Sequence, residues 1–222
     1  MIEDNKKQEQ QKMKSTENKP DENMGINVSG HILIRDKDTG KELVNKRNAI
    51  HYGNMAYIVA QALNNADNAF IQYMAFGNGA TSVDTAGKIV YKTPRVTEAY
   101  EAGANLYSRT YVKEVGEIDN DDVENNRVDI IPGPSYTDIK ITCTLGYGEP
   151  SDASNFDSAT TNDGDYIFDE LALFTYPSDT LLETAEQRIN TSTMLTHVIF
   201  HPVQKSLNRE IEVIYTVRVQ LS

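Results

Sequence analysis

From Ile211 to Leu221 the chain alternates, with Ile211, Val213, Tyr215, Val217, Val219 and Leu221 separated by Glu212, Thr216, Arg218 and Gln220. A period of two places those apolar side chains on one face of a strand. Residues 194–200 are β-prone as well, and Pro202 is expected to end that run because it has no amide hydrogen to give to a ladder. With the polar connector 204–209 between them, the two segments read as an antiparallel hairpin. Alone it would be marginal in water, so further strands must cover it.

The same pattern recurs upstream. Val28, Gly30, Ile32 and Ile34 alternate with Ser29, His31, Leu33 and Arg35. Residues 36–41, DKDTGK, supply a turn and residues 42–44 return, giving a first hairpin. Met55, Ile58, Val59, Ala62 and Leu63 follow helical spacing, predicting a helix that starts at Asn48 or His51 and ends at Asn64 and Asn65. Short β-prone runs follow at 70–76, 88–91, 106–115, 127–131, 139–145 and 166–175. Between them lie Gly77-Asn78-Gly79, read as a turn tolerant of positive φ, polar loops at 117–126 and 146–165, and a polar insertion at 176–193 with a helical turn near 182–188. The fold class expected is mainly β: an antiparallel β-sandwich over residues 26–222, with one short helix near residues 51–64. Residues 1–25 contain five Lys, six Asp or Glu and few large apolar groups, and are expected to form an extended or disordered N-terminal arm.

Charge narrows the function classes. A formal net charge of −12 and a pI near 4.8 argue against a nucleic-acid groove, which needs concentrated Lys and Arg. No apolar run is long enough for a membrane span and the start of the chain has no apolar signal core, so cytoplasmic assembly is expected. The single cysteine, Cys143, sits in an apolar alternation and reads as a small buried hydrophobe.

Several constellations invite chemistry and none completes it. His197 and His201 have the four-residue spacing of a metal pair on a helix, but Val198, Ile199 and Phe200 between them favour a strand. There the two rings stand roughly 13 Å apart along the strand, and the HExxH glutamate is replaced by Val198. The acidic run Asp119, Asp121, Asp122 and Glu124 lacks the glycine of a calcium loop, and Ile130 stands where its distal glutamate would be. Gly77-Asn78-Gly79-Ala80-Thr81 is similar to a phosphate-cradling loop, but no GK[ST] follows and the next element predicted is a strand. Asn27-Val28-Ser29 and Asn190-Thr191-Ser192 match glycosylation acceptors in a chain read as cytoplasmic. There is no GxSxG elbow. The expectation is no catalytic, cofactor-binding or metal residues, no cofactor, and a protein that is not an enzyme.

Four segments together resemble a broad group of tailed-bacteriophage virion proteins of the neck, tail-collar and baseplate or fibre-attachment type. Met74-Ala75-Phe76-Gly77-Asn78-Gly79 is similar to an "ialGnG" segment of that group. Phe168-Asp169-Glu170-Leu171-Ala172-Leu173-Phe174 is similar to "fnEiGLf", with Ala172 where the group usually has glycine. Lys46-Arg47-Asn48-Ala49-Ile50-His51-Tyr52 precedes the helix, and residues 198–205 followed by 210–220 resemble the closing strand, proline, lysine and terminal strand. The resemblance spans residues 28–221. It implies a non-enzymatic structural subunit of a virion, a homo-oligomer that joins other virion proteins of the neck, tail or baseplate, with fibres among the neighbours. No repetitive shaft or receptor-binding module is present, so a complete host-recognition fibre is not implied. The alternative class is a carbohydrate-binding β-sandwich module; the absence of tryptophan argues against it and the 12 tyrosines argue for it.

Overall fold

The alternating strand β12 (Ile211–Leu221) occupies the centre of a five-stranded antiparallel sheet in the computed structural model, which describes residues 25–118, 120–150 and 165–221. It pairs along its length with β1 (Ile26–Asp36) on one side and β9 (Tyr136–Leu145) on the other. β2 (Glu42–Arg47) and β8 (Arg127–Pro132) form the two edges, so the order is β2-β1-β12-β9-β8. The hairpin expected between residues 26 and 44 is β1–β2. Residues 1–24 of the expected arm, and residues 151–164 of the expected polar loop, lie outside the described residues.

A second five-stranded antiparallel sheet has the order β3-β11-β10-β4-β7, built from β3 (Ala49–Ile50), β11 (Thr196–Ser206), β10 (Asp165–Thr175), β4 (Ile71–Gly77) and β7 (Arg109–Glu114). A two-stranded ribbon, β5 (Thr81–Val83) with β6 (Ile89–Tyr91), projects from it. The two large sheets bury one core between them. Ile32, Ile141, Val213 and Tyr215 from the first meet Phe76, Phe168, Leu171 and Phe200 from the second. Phe168 is its hub, edge-on to Phe76 at 5.3 Å and to Phe200 at 5.7 Å and stacked on Tyr166 at 5.5 Å. Burying each such ring contributes about 1.5–3 kcal/mol, before the aromatic geometry is counted. The architecture is a β-sandwich.

Two expectations from the sequence fail here. β11 and β12 are not a hairpin, because they belong to different sheets, and the connector after Ser206 carries the chain across the sandwich. Nor does Pro202 end its strand. β11 runs through it, and the register with β10 jumps there: Phe168 faces Val203 while Glu170 faces Ile199. The extra residues form a bulge opposite Asp169, where an imino acid with no N–H breaks no ladder bond.

The second sheet is covered on its outer face too. Tyr73, Ala75, Ala172 and Phe174 point away from the main core and pack with Leu106, Ile189 and Met194 from the flanking segments. This explains why β4 and the first half of β11 are buried at nearly every position. The predicted helix, α1 (Tyr52–Leu63), starts at His51, whose Nδ1 accepts the Asn54 N–H at 3.3 Å, and ends at Asn64, with Asn65 at φ 57°. Ile58 is buried and Met55 half-buried, whereas Leu63, assigned to the same stripe, is exposed. The helical turn expected near 182–188 is α2 (Ala185–Arg188), opened by a capping box between Thr184 and Gln187.

Candidate functional site

In the run Tyr-Ile-Phe-Asp-Glu-Leu-Ala-Leu-Phe of β10, two acidic residues sit inside an apolar strand. Both Asp169 and Glu170 have no solvent exposure. Burying a carboxylate is costly unless its lone pairs meet donors, so the donors define the site.

Asp169 takes four. Its Oδ1 accepts the Gly79 and Ala80 N–H groups, each at 3.1 Å, and its Oδ2 accepts the Thr81 N–H at 2.7 Å and hydroxyl at 2.5 Å. The Gly77–Thr81 loop therefore cradles a carboxylate, a role its reading as a turn did not include. The anion is the chain's own carboxylate, 88 residues downstream of Thr81.

Glu170 takes three. Its Oε1 accepts the Ser108 N–H at 2.8 Å, and its Oε2 accepts the Tyr107 N–H at 3.0 Å and His197 Nε2–H at 3.0 Å. The His197 Nδ1 in turn accepts the Arg95 N–H at 2.8 Å, which places the ring proton on Nε2. His197 is fully buried, and its ring lies 5.9 Å from that of Tyr107. One chain of bonds thus ties residues 95, 107 and 108 to the centre of the second sheet.

Two of the segments of the virion resemblance, residues 74–79 and 168–174, meet here. Gly77 pairs with Glu170 across β4 and β10. A Cβ on Gly77 would lie 2.6 Å from both Glu170 Oε1 and the Ser108 carbonyl oxygen, and one on Gly79 would lie 2.6 Å from Ser108 Cβ. Neither glycine has positive φ, so the turn reading of these glycines is corrected: close approach of the backbone requires them. A third segment, Lys46 to Tyr52, makes the crossing between sheets. Lys46 Nζ donates to the Ile199 carbonyl at 2.7 Å, the Asn48 amide donates to the Tyr215 hydroxyl, and His51 caps α1.

The other candidates scatter. His201 is exposed and its Nδ1 lies 3.2 Å from the Tyr91 hydroxyl, so it shares no partner with His197. Asp119 lies outside the described residues; Asp121, Asp122 and Glu124 are exposed, and Asp122 binds the Asn125 and Asn126 amides. Among the described residues no three His, Cys, Asp or Glu side chains converge as metal ligands. Cys143 is buried, and desolvation pushes its thiol up to about 12. An open groove of about 400 Å³ on the outer face of the first sheet is lined by Ser29, His31, Arg47, Thr216 and Arg218. There Arg218 is already held by both oxygens of Asp138, at 2.7 and 2.9 Å, and stacks 3.7 Å from the Tyr136 ring. Tyr57 and Tyr100, which a sugar platform would need free, face each other at 4.1 Å.

Chemically, the buried cluster can fix loops. A general acid or base must come within about 3 Å of its substrate, whereas the oxygens of Asp169 and Glu170 are sealed and taken by the chain's own donors. Sequence reading gave these two residues no role beyond the resemblance. Consecutive acids within a run otherwise apolar were the available signal. The chain matches no family model, no curated protein and no solved structure.

Proposed function

We propose that this chain is a non-enzymatic structural subunit of a tailed-phage particle, a homo-oligomeric connector of the neck, tail or baseplate that works by holding neighbouring virion proteins. The observation that carries the reading is the convergence of two segments of the resemblance, residues 74–79 and 168–174, on the hydrogen bonds of two buried carboxylates. Their acids and glycines act there as fasteners for surface loops, which is what a subunit needs if it is to present rigid contact surfaces. In this reading the chain takes no cofactor, assembles in the host cytoplasm and ends in the virion. The test is to remove the chain from the phage that encodes it and image the particles. The reading expects particles that stop before the neck, tail or baseplate is complete and mature when purified chain is added back. Complete, infectious particles without the chain would overturn it.

A further inference from the structure

The two lateral sides of the sandwich differ in charge. On one side the edges β2 and β3 lie together, with the β5–β6 ribbon beside them: Lys46, Arg47, Tyr91, Lys92, Pro94 and Ile199 line one shared pocket with no acidic residue in its wall. Lys46 and Lys92 donate to backbone carbonyls, of Ile199 and Gly79, and neither they nor Arg47 have a carboxylate within 4 Å among the described residues. On the other side the edges β7 and β8 are joined by residues 115–126, where Glu117, Asp121 and Glu124 are exposed without a cationic partner among the described residues. Apolar groups accompany both sets. Val83 (69% exposed) and Tyr91 (49%) flank the cations, and Ile130 (73%) and Val123 (52%) flank the acids.

We infer that these two sides bind each other between copies of the chain, cationic β2/β3 side against acidic β7/β8 side. A two-fold contact would set like charges face to face, so complementarity selects the head-to-tail arrangement, which closes into a ring or runs on as a filament. Sides and not faces are used because the edges carry unpaired ladder groups and exposed apolar residues, and the second sheet's outer face is largely covered by its own chain. This deepens the assembly reading by naming its surface, yet it is tested apart from any particle.

The experiment is sedimentation velocity on the full chain at low salt, up to about 100 μM, with three variants. The native chain should form concentration-dependent oligomers that dissociate as salt screens the contact. Arg47→Glu with Lys92→Glu, and separately Asp121→Lys with Glu124→Lys, should each weaken association roughly tenfold or more. An equimolar mixture of those two variants, and the chain carrying all four changes, should associate again, since opposite charges then face each other. Circular dichroism checks that each variant is folded; Arg47→Gln with Lys92→Gln replaces a misfolded cationic-side variant, and Asp121→Asn with Glu124→Gln a misfolded acidic-side one. A native chain that stays monomeric, single-side variants that associate as the native chain does, or a mixture that stays apart would each overturn the interface. Oligomers that behave as expected from a chain missing from particles would overturn the virion reading and leave the interface standing.

Discussion

Replacing Glu170 with alanine removes one buried acceptor and strands three donors: the part-buried Tyr107 and Ser108 amides and the fully buried His197 Nε2–H. A hydrogen bond to a charged group contributes about 1.5–3 kcal/mol, but the three share one side chain and water can enter the space vacated, so they do not simply add. The expected loss is about 3–5 kcal/mol, in the range found when one partner of a buried charged cluster is removed. For a chain of this size that lowers the melting midpoint by roughly 6–20 °C. Glu170→Gln keeps the shape but turns one end into a donor facing Ser108 N–H, or facing Tyr107 and His197, and should cost about 2–3 kcal/mol. Urea titration followed by circular dichroism gives the loss, and amide exchange locates it. Tyr107 and Ser108 should lose protection before the sheet core does. A double-mutant cycle with His197→Gln should return a coupling of about 1–3 kcal/mol. If Glu170→Ala changes stability by less than about 0.5 kcal/mol, or leaves those two amides as protected as before, the fastening argument is wrong.

Gly77→Ala places a methyl 2.6 Å from the Ser108 carbonyl and should destabilise by about 1–3 kcal/mol in the same urea titration, despite normal φ. Cys143, with its thiol raised to about 12 by burial, should resist a disulfide reagent in the native chain and react stoichiometrically in denaturant. Burial holds the His51 pKa below its ordinary 6.5, with Glu101 pulling the other way. The unfolded chain therefore takes up a proton that the folded chain resists; this contribution to stability is intact above 6.5 and declines as pH falls below it. His51→Asn, which keeps a cap, should flatten the fall in melting midpoint from roughly pH 7 to pH 5. Asp36, held down to about 2 by the Thr39 hydroxyl and amide and then by Arg209, acts in a lower window. Its contribution is present above the ordinary carboxylate value and lost as pH falls toward 2, so Asp36→Asn should reduce acid sensitivity only there.

The alternation of Ile211, Val213, Tyr215 and Val217 was readable because a strand with one buried face prints its period directly into the sequence. The β1–β2 hairpin was readable for a related reason, since its turn chemistry is local. The β11–β12 connection was not. A polar linker of a few residues serves equally well for a hairpin and for a crossing between sheets, and only the position of β10, some 20 residues upstream, decides which. Pro202 misled because a bulge, set by the partner strand, removed the penalty it normally carries. The Asp169 and Glu170 cluster lay further out of reach. Its bonds join residues 27 to 102 positions apart, and no short-range pattern says which loop a buried carboxylate will hold.

The proposed role is tested most directly by quantitative mass spectrometry of washed particles of the encoding phage, separated into heads and tails. Peptides of this chain should appear in a fixed multiple-copy ratio to the other structural proteins, confined to the fraction that retains the neck, tail or baseplate and resistant to washing. Peptides found only in the soluble lysate, with none in either particle fraction, would contradict it.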